Sequence, residues 1–224
     1  MKKPLKPAEF VENRLITDII SGVYPKNSKL PGERSLAQMT GVTRPTLREA
    51  LQRLARDGWI TINHGKQTVV NDFWDKGGLG ILRTLIDYID LLPKDLLSSM
   101  LEFRTIVFPE IAELAYKRDP DTIIEYLDGS NVLATSEDFA AFDWNLQLLI
   151  AKSSENTLFP LILNDFTKPF SHFANIYFRF DKAKVASQVY YKNLKDGFSQ
   201  EGSDIKKIVK DVMTNSNLIW DEFR

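Results

Sequence analysis

Cysteine is absent from the 224-residue chain. That excludes disulfides, thiolate metal sites and cysteine nucleophiles, and it fits a reducing compartment. Histidine is nearly absent, with only His64 and His172. No phosphate loop, nucleophile elbow or Ser/His/Asp arrangement is present, and paired carboxylates such as Asp119/Asp121 and Glu137/Asp138 fall at helix starts, where they suit capping. With no nucleophile–base pair to assign, an enzyme is not expected. Nothing approaches ~18 uninterrupted apolar residues, so no membrane span is expected. MKKPLKPAEF has no apolar run after its lysines, so no signal peptide is expected and a cytoplasmic protein is the default. A hydrophobic fraction of 43% does allow a substantial core.

The net charge of −1 conceals an asymmetry. Residues 1–71 hold 12 Lys/Arg against 6 Asp/Glu, a net of +6. The remainder holds 17 of the 29 basic and 24 of the 30 acidic side chains, a net of −7. A basic segment joined to an acidic one suggests a polyanion-binding module attached to something with another task; uneven solvated surface would read the same way.

Apolar residues Phe10, Leu15, Ile16, Ile19 and Ile20 predict an amphipathic helix over Pro7 to Ser21, with Gly22 as its stop. Val23 to Pro31 reads as connector. Glu33 to Met39 reads as a short helix with Leu36 and Met39 inward, and Gly41 as the turn after it. Thr43 can cap a following helix, with Pro45 in its first turn, where a missing N–H costs little. Leu47, Ala50, Leu51 and Leu54 form the buried stripe of that helix, and Gly58 ends it. Two short β-runs follow, Trp59–Asn63 and Gln67–Val70, around His64-Gly65-Lys66. This order is a winged helix-turn-helix, whose second helix enters the major groove N-terminus first. Its exposed face offers Thr43, Arg44, Thr46 and Arg48, and arginine can read guanine bidentately. Arg34 is placed for phosphate or groove contact. Gly65 lets the wing tip approach a backbone, with His64 and Lys66 following. Arg53 and Arg56 read as solvated charge.

The stretch LPGERSLAQMTGVTRPTLREALQRLARDGWI resembles the GntR-type bacterial transcription factors, with their LPxERxLAxxxGVxRxxxREAL pattern and short wing. LQRLARDGW, the HGK wing tip and the NxFW exit are similar to the fatty-acid-responsive FadR-like branch, as are FDWNLQLLIAKSSEN, LILN, IYF and the final IW. The resemblance is tight over about Leu30–Trp74 and looser beyond. It implies DNA contacts at Arg34, Thr43, Arg44, Pro45, Thr46, Arg48, His64, Gly65 and Lys66, with Pro45 standing where relatives tend to have threonine. It also implies a homodimer on a palindromic double-stranded operator, repressing fatty acid degradation genes and activating some synthesis genes. Long-chain fatty acyl-CoA would be the effector that releases DNA, with no other cofactor.

After Trp74 the pattern changes. The expected organisation is a winged domain over 1–74, a linker over 75–78 and an all-α bundle over 79–224. Seven helices are predicted: Leu79–Leu91, Lys94–Tyr116, Pro120–Gly129, Ser136–Ser153, Leu158–Phe178, Ala183–Phe198 and Ser203–Phe223. Pro109 and Pro169 should bend or split two of them. The Leu79–Leu91 helix, joining the domains, is the expected transmitter of ligand binding. Phe159, Phe166, Phe170, Phe173, Tyr177, Phe178 and Phe180 crowd one stretch, and Trp220 and Phe223 close the last helix. An aromatic core explains most of them, yet an acyl-binding bundle needs the same lining plus a few polar groups. The resemblance places acyl-CoA contacts at Arg104, Phe170, Tyr177, Lys210, Ser216 and Trp220, with Arg104 and Lys210 toward phosphate oxygens. Phe170 replaces a tyrosine of the relatives and Lys210 an arginine, which removes a bidentate donor. Many GntR-type bundles hold a cation with one Asp and three His. Asp143 matches that Asp, but Gln147 stands where the first His is expected, so no metal is expected. Two alternatives remain: a GntR-type regulator answering to a small organic acid, and a ligand-free bundle that only dimerises. A fully packed interior would favour the latter.

Overall fold

The computed structural model describes residues 5–63, 65–92 and 96–222. The chain divides into two compact units, Met1–Leu92 and Pro93–Arg224.

The first unit begins with three helices: α1 (Pro7–Ile20), α2 (Glu33–Thr40) and α3 (Arg44–Asp57). Helices α1 and α2 both pack on α3. The face of α1 that turns inward carries Ala8, Val11, Leu15, Ile16 and Ile19. Phe10, expected in that stripe, is instead 46% exposed, because Val11 takes the inward position one residue on. In α2 the inward residues are Leu36, Ala37 and Thr40. Met39, expected to face inward, is 54% exposed. The three- and four-residue steps of a helix align Thr40 with Leu36 and Ala37, and the Thr40 hydroxyl is satisfied by donating to the Leu36 carbonyl (2.8 Å). Gly41 closes α2 in the left-handed conformation (φ 70°), with its N–H turned back to the helix carbonyls.

Two short strands, β1 (Ile60–Thr61) and β2 (Val69–Val70), pair antiparallel with Ile60 opposite Val70. They are shorter than the predicted runs. Part of the supposed connector joins them: Val70 N–H donates to the Ser28 carbonyl, Leu30 N–H to the Thr68 carbonyl, and Lys29 bridges Val69. The wing is thus tied to the loop that leads into α2. Its exit, Asn71-Asp72-Phe73-Trp74, is built as a lock. The buried Asn71 amide donates to the Gly58 carbonyl (2.9 Å) and its oxygen accepts from the Thr61 hydroxyl (2.8 Å). Asp72 caps α4 (Phe73–Lys76) and pairs with Lys26 at 2.8 Å. Phe73 meets the fully buried Trp59 with ring centroids 4.8 Å apart.

The predicted Leu79–Leu91 helix is two pieces, α5 (Gly80–Leu85) and a 3₁₀ turn over Ile86–Leu91, broken at Tyr88 (φ −122°, ψ 22°). Both belong to the first unit, where the Tyr88 hydroxyl donates to the Asn13 carbonyl of α1.

The second unit is all helical: α6 (Leu96–Arg118), α7 (Pro120–Asp128), α8 (Ser136–Ser153), α9 (Leu158–Tyr177), α10 (Asp181–Ser199) and α11 (Ile205–Glu222). Helix α6 packs on α8 and α11, α8 on α9, and α10 on α7 and α11. Thr135 and Asp138 form a reciprocal capping box at the start of α8, the capping role the sequence suggested. Asp119 is the N-cap residue of α7 and accepts from the Ser153 hydroxyl. Pro109 and Pro169 split neither α6 nor α9. Both prolines are buried, so burial of their rings against the core offsets the backbone hydrogen bond each removes.

Gly58 sits at φ 94°, and a Cβ there would lie 2.9 Å from the Lys76 carbonyl oxygen and 3.0 Å from Gly77 Cα. Gly58→Ala should therefore destabilise the protein by about 1–3 kcal/mol. A lower urea-unfolding midpoint is expected; an unchanged one would contradict the clash.

Candidate nucleic-acid interface and effector cavity

The N-terminus of α3 presents a cationic surface. Thr43 caps the helix by accepting from the Thr46 N–H (3.4 Å), and the two hydroxyls lie 2.9 Å apart. Thr43, Arg44, Pro45 and Arg48 are exposed and Thr46 is half-buried. Pro45 stands in the first turn and leaves the helix intact, as its sequence position implied. Arg34 is exposed on the first turn of α2. Glu33 collects the two arginines of α3: its carboxylate lies 2.8 Å from Arg48 Nε and 3.8 Å from an Arg44 guanidinium nitrogen. These pairs are exposed and therefore weak, so Glu33 orients the arginines without competing strongly against phosphate or guanine. The wing tip follows at Gly65 (φ 73°) and Lys66, both exposed, with Lys66 N–H donating to the Asn63 carbonyl. His64 lies outside the described residues, as does Phe223. Arg56 is exposed and pairs with its neighbour Asp57, whereas Arg53, read as solvated charge, is half-buried and held by Glu12 and Glu49.

Inside the helical unit lies a cavity of about 130 Å³ between α6, α8, α9, α10 and α11. Five of the six residues expected around a ligand line it: Arg104, Phe170, Tyr177, Ser216 and Trp220. Lys210 does not. It is exposed on α11 and absent from the lining, because Val209 and Met213 take that helix's inward positions. Of the aromatic crowd, Phe166, Phe170, Phe173, Tyr177 and Phe178 reach the cavity, while Phe159 and Phe180 pack against the core. The rings are layered: Phe170 stacks on Trp144 (4.4 Å) and Tyr177 on Trp220 (6.3 Å). Phe103 of α6 stacks on Phe166 of α9, with centroids 5.5 Å apart and planes 1° from parallel.

One end of this cavity is polar. Arg104 donates to the Ser216 hydroxyl, which donates in turn to the Met213 carbonyl. Asp143 lines the same cavity. One of its oxygens accepts from Gln147 Nε2 (2.7 Å) and the other from the Tyr191 hydroxyl (3.1 Å). Burial pushes the Asp143 carboxyl up, while the Arg104 charge and these two donors pull it down. Burial draws the Arg104 guanidinium down and Asp143 pushes it back. Burial raises the Tyr177 phenol to about 12 and raises Tyr190 and Tyr191 further, so all three keep their protons. Both Asp143 oxygens are thus engaged by hydrogen-bond donors. Sequence reading missed this network. Asp143 and Gln147 are visibly one helical turn apart, but Tyr191 lies 48 residues from Asp143 on another helix. No local pattern could have paired them.

A winged helix-turn-helix with a cationic recognition helix, joined to a helical bundle with an internal cavity, defines a DNA-binding regulator. Family models agree: that for bacterial regulatory proteins of the gntR family matches residues 7–70, and that for the FadR C-terminal domain matches residues 71–224. Two proteins named fatty acid metabolism regulator protein are similar over nearly their whole length. The one from Shewanella pealeana is 37% identical over 220 residues and the one from Shewanella denitrificans 39% over 223. Each match covers 97% of this chain and 92% of the relative. A solved structure described as Lar, which controls expression of the Listeria monocytogenes agr system, has a TM-score of 0.63 at 16% identity, covering 100% of both chains. That likeness concerns the fold alone. The chain belongs to the GntR family of bacterial regulatory proteins, in the group that carries the FadR C-terminal domain. It is a transcriptional regulator and not an enzyme. No helix among the described residues is long and apolar enough to cross a membrane.

Arg44→Ala and Arg48→Ala should each weaken specific DNA retention by at least ~10-fold while the melting curve stays unchanged. Electrophoretic mobility shift with specific and scrambled duplexes checks this; equal affinity for the operator would remove these residues from the groove.

Proposed function

We propose that the protein is a homodimeric, acyl-CoA-responsive regulator of fatty acid metabolism, working in the cytoplasm on a two-fold-related operator. The cavity in the helical unit carries this reading: a bundle that served only for dimerisation would have no reason to keep an apolar interior with a polar end. Its lining is aromatic and aliphatic around Arg104, Tyr177, Ser216 and Trp220, the composition of a small-molecule site. The names of the Shewanella relatives favour fatty acid metabolism over organic acids.

The size of the cavity bears on mechanism. At about 130 Å³ it is comparable to the roughly 150 Å³ space that admits a benzene-sized molecule. A long acyl chain is several times larger, so it enters only if the helices around the cavity separate. The stacked Phe103–Phe166 pair bridges α6 and α9 in the lining of this space. Ligand binding is then inseparable from rearrangement of the bundle, which is what a regulator needs. DNA release by ~100-fold requires ~2.7 kcal/mol of coupling, and DNA must weaken the ligand by the same factor. Lys210 is too exposed to belong to the cavity, but it remains available to a CoA phosphate that extends into solvent.

Oleoyl-CoA titrated into the protein–operator complex should release DNA, and Trp220→Ala should shift the midpoint at least ~10-fold upward. Release by a short organic acid, with none by any long-chain acyl-CoA, would replace this reading with the organic-acid one.

A further inference from the structure

We infer that Glu33 is a positioning residue for DNA selectivity: it holds the arginines of α3 in the posture that reads base edges and weakens their attraction to phosphates elsewhere. The inference rests on the reading of Arg44 and Arg48 as groove residues and concerns how they tell one duplex from another.

Glu33 opens α2, and Arg44 and Arg48 lie one helical turn apart on α3. A single Glu33 oxygen, Oε2, faces both arginines. It accepts from Arg48 Nε at 2.8 Å and lies 3.8 Å from a terminal nitrogen of Arg44, a charge contact without a hydrogen bond. The two contacts differ in consequence. Arg48 commits its Nε donor to Glu33, which leaves the fork of its two terminal nitrogens for a bidentate contact to guanine O6 and N7. Arg44 keeps its donors and feels only the pull of the charge. The side chains of Arg44 and Arg48 remain 60% and 58% exposed, so both stay within reach of a duplex. A free arginine loses rotamer freedom when it is ordered at a base edge, and one already held loses less. That favours a duplex with the right base in place. The same carboxylate offsets part of the positive charge that any phosphate backbone attracts, which disfavours duplexes that offer phosphates alone. Position and charge therefore act on selectivity in the same direction.

The test uses the full-length protein and two labelled duplexes: one that the wild type selects from a random pool, and a scrambled duplex of the same composition. Fluorescence anisotropy gives the affinity for each, and their ratio is the selectivity. Glu33→Gln keeps the length and removes the charge. Affinity for the scrambled duplex should rise at least ~3-fold, and its log–log salt slope should steepen by about 1. Glu33→Asp keeps the charge at the start of α2, where it suits the helix dipole, and draws the carboxylate back from Arg48 by one methylene. Affinity for the scrambled duplex should hold, while that for the selected duplex falls at least ~3-fold. With Arg48→Ala already present, Glu33→Asp should remove no further selectivity, because the side chain it acts through is gone. A residue that only stabilised α2 would lower both affinities together. Unchanged selectivity in both Glu33 variants would overturn the inference alone, as would a parallel fall on the two duplexes or an equal loss from Glu33→Asp with and without Arg48. A wild type that selects no duplex, or undiminished selectivity in both Arg44→Ala and Arg48→Ala, would overturn the groove reading, and this inference with it.

Discussion

A guanidinium inside an apolar bundle must be matched, and the second unit is arranged around that requirement. Arg104 projects from α6 into a space walled by phenylalanine, tryptophan and aliphatic side chains. It is met by Ser216 of α11 and by the charge of Asp143 on α8. Asp143 is held in turn by Gln147 one turn along and by Tyr191 of α10. Four helices thus meet through one polar cluster. A charge pair of this kind contributes little net stability over an apolar replacement. What it provides is a polar junction among helices that otherwise meet through apolar side chains.

The first unit answers a different physical demand, that of holding cations at the surface where a polyanion can reach them. Thr43 caps α3, Gly41 turns α2 toward it, and Glu33 gathers Arg44 and Arg48. The wing is fastened from both sides, by the 28–30 segment at one edge and by Asn71 and Phe73 at its exit. The NxFW run therefore has a structural reason: its asparagine satisfies the Gly58 carbonyl and the Thr61 hydroxyl, and its phenylalanine covers Trp59. The Tyr88 contact to α1 ties the segment after the wing to the same body.

Much of this was legible in advance. Helix-turn-helix, wing and bundle follow from local periodicity, capping residues and glycine positions, and Ser136–Ser153 falls at the expected bounds. The errors are informative. Phe10 and Met39 read as inward because they are large and apolar, but the inward set of a helix is decided by its neighbours, and Val11 and Thr40 take those positions. Pro109 and Pro169, which the sequence allows to bend or split their helices, split neither: their rings are buried, and packing outweighs one lost hydrogen bond. The Leu79–Leu91 run keeps helical turns but breaks at Tyr88, which periodicity alone does not reveal.

By itself, then, the amino-acid sequence determined the candidate DNA-facing surface, because that surface lies on two consecutive helices, a cap and one hairpin, all within about thirty residues. It also determined the helical character of the remainder, since an apolar repeat of 3.6 residues is a local property. Tertiary structure alone decided what the bundle encloses. Ser216 lies 112 residues from Arg104, and Tyr191 lies 48 from Asp143. Only packing of distant helices brings those groups together, turns Lys210 outward, and leaves a cavity between them.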